Sequence, residues 1–263
     1  MQVKLISYTK DIEHPDWSLL DQVAYVARVS NPAGQEQEGD VDIMTRNKKL
    51  INYLIKNSHW SPFEMVSVCM EIKTTRDIAR QILRHRSFSF QEFSQRYAKV
   101  SELPVYREAR LQDMNNRQNS VKSDDANLED EWKVVQSNVA IETQKAYDWA
   151  INNGIAKEQA RAVLPEGMTP STLYMSGTLR SWIHYILLRE KNGTQSEHMD
   201  VALECKRVIN TIFPVQLSAN IIKSIPIVEE AKIKEYGYYG YTYGYTTEEL
   251  QYEVELSKSQ RAE

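Results

Sequence analysis

The sequence predicts an α+β fold on three observations. Several stretches repeat apolar residues at helical spacing, two others are dense in strand formers, and the two kinds do not alternate with the regularity of β-α-β units. With 263 residues the chain is long enough to bury a real core.

VKLISYT at 3–9 reads as a strand. Residues 17–29 carry Leu19, Leu20, Val23, Ala24, Val26 and Ala27 at helical spacing, so a helix is expected there. NPAGQEQEG at 31–39 is a loop by its proline, glycine and polar content. Residues 40–57 form a second helix with Ile43, Leu50, Ile51 and Leu54 on its apolar side, and 63–74 (FEMVSVCMEIKT) a long, largely buried strand. TRDIARQILRHR at 75–86 predicts a helix whose core stripe is Ile78, Ala79 and Ile82.

Residues 108–131 are polar and nearly free of large apolar side chains, which predicts an insertion or mobile loop. A long helix is expected over 132–152, a shorter one over 156–163, and helical signals return at 178–190 and 197–212. YGYYGYTYGY at 236–245 holds six tyrosines but no lysine or arginine, so a packed C-terminal arm is favoured over a base-stacking surface, which would need a positive groove.

Composition removes whole classes of function. No apolar run approaches the roughly 20 residues of a membrane helix, and the first residues lack the basic, apolar and small-residue order of a signal peptide. Cys69 and Cys205 are too few for a disulfide framework, so a reducing cytoplasm is the expected setting. A net charge of -4 speaks against a general nucleic-acid binder. Neither G-x-G-x-x-G nor a P-loop is present, and histidines at 14, 59, 85, 184 and 198 form no ligand cluster, so no metal is expected.

Positive charge is instead local. RHRSFSFQEFSQRY at 84–97 sets three arginines and a histidine among serines and aromatics around one acid, Glu92. Arg76, Arg80 and Arg84 recur at a spacing of four, with Gln81 and His85 one position round, and only Asp77 is near to offset them. Such a face calls for a small anionic ligand.

These residues also carry a family likeness. The 84–97 run resembles the RHR-x-x-S-x-N-E-x-S-x-R-Y signature of flavin-dependent thymidylate synthases. HWSPFE at 59–64 is similar to that family's H-x-[ST]-P-F-E, ARAVLP at 160–165 to its A-R-x-x-L-P, and LRSWIHYILLRE at 179–190 to its R-S-x-x-[NH]-[FY]-x-x-L-R. The motifs stand in the family's order over about 27–212. Departures fall at Gln91 for the usual Asn, at Met65 where many members have His, and at Gly193 where some do.

The resemblance implies a central, mostly antiparallel sheet flanked by helices, the thymidylate synthase-complementing fold, in one domain over 1–263 with an insertion at 108–131 and an arm at 215–263. It implies methylation of dUMP to dTMP, with methylenetetrahydrofolate as carbon donor, FAD as hydride carrier and NADPH as reductant. It also implies a cytoplasmic homotetramer with active sites shared between subunits, and neither nucleic acid nor membrane as a partner.

By family position Gln81, Arg84, Glu92, Ser94, Gln95, Arg96, Arg161 and Arg189 would contact dUMP. Ser30, Ser61, Glu64, Arg84, His85, Arg86, Ser87, Gln91, Glu92, Thr178, Arg180 and His184 would hold FAD. Arg189 and Ser94 are the expected catalytic pair: the arginine as a fixed cation against the pyrimidine, the serine as a positioning group, since no base neighbours it in sequence to make it a nucleophile.

Simpler readings stand beside these. Arg189 could be a helix-end arginine paired with Glu190 or Asp200, and His85 could cap a helix. The cysteines read as small hydrophobes outside the motifs. Two rival functions stay open, a non-catalytic nucleotide or RNA-binding module and a flavoprotein acting on another substrate. Bound flavin would exclude the first, and dUMP affinity the second.

Overall fold

The computed structural model describes residues 1–31, 35, 42–191 and 193–215. Most of the loop expected at 31–39 and all of the tyrosine-rich segment at 236–245 lie outside the described residues. In chain order the elements are β1 (Gln2–Tyr8), α1 (Leu19–Ala27), α2 (Ile43–Lys56), β2 (Ser67–Thr75), α3 (Arg76–Ile82), β3 (Ser89–Glu92), β4 (Arg110–Gln112), β5 (Ser120–Lys122), α4 (Ala126–Asn152), α5 (Lys157–Ala160), β6 (Pro170–Thr178), α6 (Leu179–Arg189) and α7 (Ser196–Ile212). Short 3-10 turns occur at Ser61–Glu64 and Arg161–Val163.

A mainly antiparallel sheet of order β1-β2-β6-β3 and a separate β4-β5 hairpin accompany the helices, so the α+β expectation holds. The chain forms two compact units: one takes Met1–Ile72, Leu83–Gln91 and the described residues from 173 to 215, the other Lys73–Ile82 and Glu92–Thr172.

In the first unit α1 begins with a capping box in which Ser18 and Asp21 satisfy each other's backbone donors, and Leu19, Leu20, Val23 and Ala24 are buried. Its Asp21 Oδ1 accepts from Asn47 Nδ2 at 2.8 Å, and Asn47 Oδ1 accepts from Arg28 at 2.7 Å, which lets a buried α2 asparagine meet its polar needs. The apolar stripe of α6, with Trp182, Ile183 and Ile186, and that of α7, with Val201, Ala202, Cys205 and Ile209, are fully buried.

The 63–74 strand starts later than expected. Pro62 sets a 3-10 turn that carries the buried Phe63, and the strand runs over Ser67–Thr75, with Val68, Met70 and Ile72 turned inward. Its partner β6 was not anticipated, nor was β3. The inward side chains of β6 include Leu173 and Met175, while its outward ones are satisfied across the sheet, Tyr174 Oη donating to Glu71 at 2.7 Å. A run as polar as PSTLYMSGT reads as a loop until a partner strand pairs with it.

In the second unit the 108–131 stretch is ordered where a loop was expected. Arg110, Leu111 and Gln112 pair with Lys122, Val121 and Ser120, and α4 already begins at Ala126, capped by Asp125. Polar side chains hold the turn: Asp113 accepts from the backbone of Asn115 at 2.8 Å and Asn116 at 3.2 Å and from the Asn119 amide at 2.9 Å. These bonds keep the Asp113 carboxyl below its usual range. Behind the hairpin, Gln136 of α4 accepts from Arg107 N at 2.7 Å and donates to Arg107 O at 2.9 Å, as a neighbouring strand would. Tyr147, Ala150 and Ala160 form the core between α4 and α5.

The helix expected over 75–86 stops at Ile82, where the chain passes from the second unit to the first. Downstream, Phe88 packs edge-on to Trp182 at 4.9 Å and occupies the space over Gly177, where an added Cβ would come within 2.5 Å of its ring. Gly177→Ala is therefore expected to lose about 1–3 kcal/mol by forcing the ring aside. In urea unfolding, Phe88→Leu should reduce that loss when combined with it. Strict additivity of the two changes would show that Phe88 is not what Gly177 makes room for. A second glycine, Gly193, has φ +93°, a conformation in which a histidine would be strained, and this accounts for that departure from the family pattern.

Candidate active site

Because α3 ends at Ile82, Arg76, Arg80 and Arg84 do not share one helical face as expected. Arg76 is buried against Glu92, Arg80 pairs with Glu166 at 3.5 Å, and Arg84 lies on the loop that follows. On that loop Arg84, Arg86 and Ser87 are exposed and His85 is half-buried. Neither Arg84 nor Arg86 has an ion-pair partner among the described residues.

The loop lies on the start of α6 in the first unit. Thr178 caps that helix by accepting from Ser181 N at 3.3 Å, and Ser181 Oγ donates to the Ser87 carbonyl at 3.1 Å. Arg180 pairs with Glu64, and Trp60 meets His184 edge-on at 4.6 Å. Burial first and Arg180 second hold the His184 imidazole below its ordinary range. Ser30 and Ser61 are exposed, as is Gln91 at the end of the first-unit run.

Arg189, in the last turn of α6, does not pair with its neighbour Glu190, because that carboxylate takes Lys206 at 2.8 Å in a buried ion pair. Arg189 Nε instead donates to His85 Nε2 at 2.9 Å. The His85 ring lies 4.9 Å from that of Tyr185 and 6.1 Å from that of His198, and Tyr185 Oη and His198 Nε2 are 3.2 Å apart. Both partners are fully buried. Among the described residues His85 makes no bond to a helix carbonyl, so it does not serve as a cap.

The second unit holds the other group. Ser171 Oγ donates to Glu92 Oε1 at 2.8 Å, and Arg76 approaches the same oxygen at 3.5 Å. Ser94 O closes a turn by accepting from Tyr97 N and Ala98 N, each at 3.1 Å. Arg96 reaches the Glu158 carboxylate at 3.5 Å and Arg161 Nε donates to the Glu158 carbonyl at 3.3 Å, so these two arginines gather at one residue. Gln95 is 3% exposed and its amide nitrogen has no acceptor among the described residues. A buried donor left unpaired costs about 1–3 kcal/mol, which marks the place for an outside acceptor.

The structure thus brings Arg84, His85, Arg86, Ser87, Thr178, Arg180, His184 and Arg189 into the first unit, and Gln81, Glu92, Ser94, Gln95, Arg96 and Arg161 into the second. Sequence reasoning missed Tyr185, His198 and Ser171, and placed Arg76 on an exposed cationic face where it is buried against Glu92. Tyr185 and His198 sit at core positions of amphipathic helices, and only their polar atoms in an apolar stripe could have signalled them. Burial pushes the Cys205 and Cys69 thiols up, in keeping with inert cysteines.

Two unpaired arginines beside a helix N-terminus with hydroxyls at hand suit an anionic dinucleotide, so the residues present fit a flavin dinucleotide. Among the described residues no group of acids, histidines and cysteines could hold a metal ion, and no helix is long and apolar enough to cross a membrane.

The profile of a family described as "Thymidylate synthase complementing protein" matches residues 4–215. The chain is 47% identical over 214 residues to a "Probable flavin-dependent thymidylate synthase" of Paramecium bursaria Chlorella virus 1, covering 81% of this chain and 96% of that protein. It is 44% identical over 222 residues to the flavin-dependent thymidylate synthase of Synechocystis sp., covering 83% and 99%. Among solved structures, the UMP/dUMP methylase PolB of Streptomyces cacaoi bound to 5-Br dUMP superposes with a TM-score of 0.64 at 27% identity, over 81% of this chain and 91% of that one.

Proposed function

The chain belongs to the thymidylate synthase complementing protein family, and from that premise we propose how its residues divide the work of methylating dUMP to dTMP. It is a flavin-dependent enzyme. In the proposed reaction methylenetetrahydrofolate gives the carbon and NADPH is the reductant. Bound FAD supplies hydride chemistry that no side chain of the protein can.

The observation that carries the reading is the pair Arg84 and Arg86, exposed, unpaired among the described residues and flanking His85 on the start of α6. With Ser30, Ser61, Glu64, Ser87, Gln91, Glu92, Thr178, Arg180 and His184 they hold the flavin. Arg96 and Arg161 neutralise the nucleotide phosphate, and Gln81, Arg84, Glu92, Ser94 and Gln95 fix the rest of dUMP. These contacts would hold the pyrimidine still while the cation of Arg189 stabilises the negative charge that builds up as N3 loses its proton and C5 becomes nucleophilic. Ser94 positions and does not attack.

The enzyme acts as a cytoplasmic homotetramer, one synthase domain per chain, with the 108–131 segment as an insertion. A visible absorption spectrum tests the core of this reading. Flavin bands after purification or FAD addition, and their perturbation by dUMP, are expected. A protein that takes up no flavin would return the binding-module reading, and a flavoprotein blind to dUMP would return the other rival.

A further inference from the structure

Resting on that assignment of Arg189 to dUMP, we propose that His85 is a positioning residue for Arg189: its neutral imidazole, protonated on Nδ1, accepts the Arg189 Nε–H and fixes which edge of the guanidinium faces the pyrimidine. Family position gives His85 to the flavin, and the bond to Arg189 gives it a second task.

The protonation state follows from the 2.9 Å contact alone. A guanidinium can only donate, so His85 Nε2 must present a lone pair, and the ring proton must sit on Nδ1. The groups facing the ring agree with this. Burial, Arg189 and Arg84 bring the His85 imidazole down to about 4, so it stays neutral at physiological pH. Tyr185 meets the ring edge-on at 4.9 Å, and the Tyr185 hydroxyl is in turn held by His198 at 3.2 Å. Burial, Arg189 and His85 bring His198 down to about 3, so it too is neutral.

The consequence is geometric. With Nε committed to His85, the arginine cannot rotate about its long side chain to offer the Nε/Nη edge, and its Nη groups are what a bound pyrimidine meets. A free arginine would sample several such edges, and the imidazole removes that freedom before substrate arrives. The Nδ1–H is left as the ring's remaining donor.

Imidazole nitrogen NMR of the full-length, flavin-loaded protein labelled with 15N-histidine reads the tautomer without substrate. At neutral pH the His85 signals, identified by their loss in His85→Gln, should show a bare Nε2 and a protonated Nδ1. In Arg189→Gln the population should shift towards the Nε2–H form. A protonated ring, or Nε2–H in the unsubstituted protein, would overturn the proposal.

The kinetic arm separates positioning from packing. His85→Leu should lower kcat for dTMP formation by roughly 10-fold or more, as expected for loss of a charge-assisted hydrogen bond. His85→Gln, which returns an acceptor, should recover most of it, with flavin absorbance matched between the two. Equal kcat in the Leu and Gln variants at equal flavin content would sink the idea. If the unsubstituted protein formed no dTMP, the functional reading would fall, whereas the tautomer is read independently of turnover.

Discussion

Arg189→Ala is expected to reduce dTMP formation and dUMP affinity by roughly 10- to 150-fold, the loss of about 1.5–3 kcal/mol that a charge-assisted contact carries. The reason is local. Glu190, the carboxylate nearest in sequence, is taken by Lys206, and among the described residues the hydrogen-bond partner of Arg189 is a neutral imidazole. A half-buried guanidinium so placed keeps its charge for a ligand, whereas one neutralised by an acid would serve the fold. Arg189 stands outside the proposed flavin set, so the variant should retain its flavin content. Steady-state rates and a dUMP titration check this, and an alanine variant with unchanged affinity and rate would remove Arg189 from the nucleotide site.

Arg161→Ala and Arg189→Ala, each nearly inactive alone, should regain activity when their subunits are mixed. The two arginines lie in different compact units, and the proposal is that one chain supplies Arg189 and another Arg161 to the same nucleotide. In random mixed oligomers about a quarter of the sites would then draw both intact halves from different chains. The measurement is dTMP formation by co-expressed or unfolded-and-remixed variants, compared with each variant alone. Activity no higher than their average, with mixed oligomers demonstrated, would mean that each site is completed within a single chain.

Much of the fold was legible because its signals are local. α1, α2, α6 and α7 follow apolar periodicity, and each was placed within a few residues. The errors have a common cause. β6 and β3 carry few apolar residues, and their backbone groups are satisfied only by neighbouring strands that no window of sequence contains. The β4-β5 turn is held by Asp113 through bonds to polar groups, a composition that a loop would share. The 75–86 helix ends at Ile82, and the residues that follow pack on partners far along the chain, Phe88 over Gly177 about ninety residues away.

The candidate site divides along the same line. Which residues are in play can be read without coordinates, since arginine, serine and acid at fixed spacing in 84–97 are chemical facts, and four motifs in order name a family. What each residue is free to do depends on the partners that the fold brings to it. Arg76 looked like an exposed member of a cationic face and is buried on Glu92, while Arg189 looked ready to pair with Glu190 and meets His85. Spacing along a helix sets which residues can face the same way. Whether a charge is neutralised, or a histidine keeps its proton, depends on burial and on partners brought close by the fold, and those interactions fall off over a few ångströms, not over a few residues.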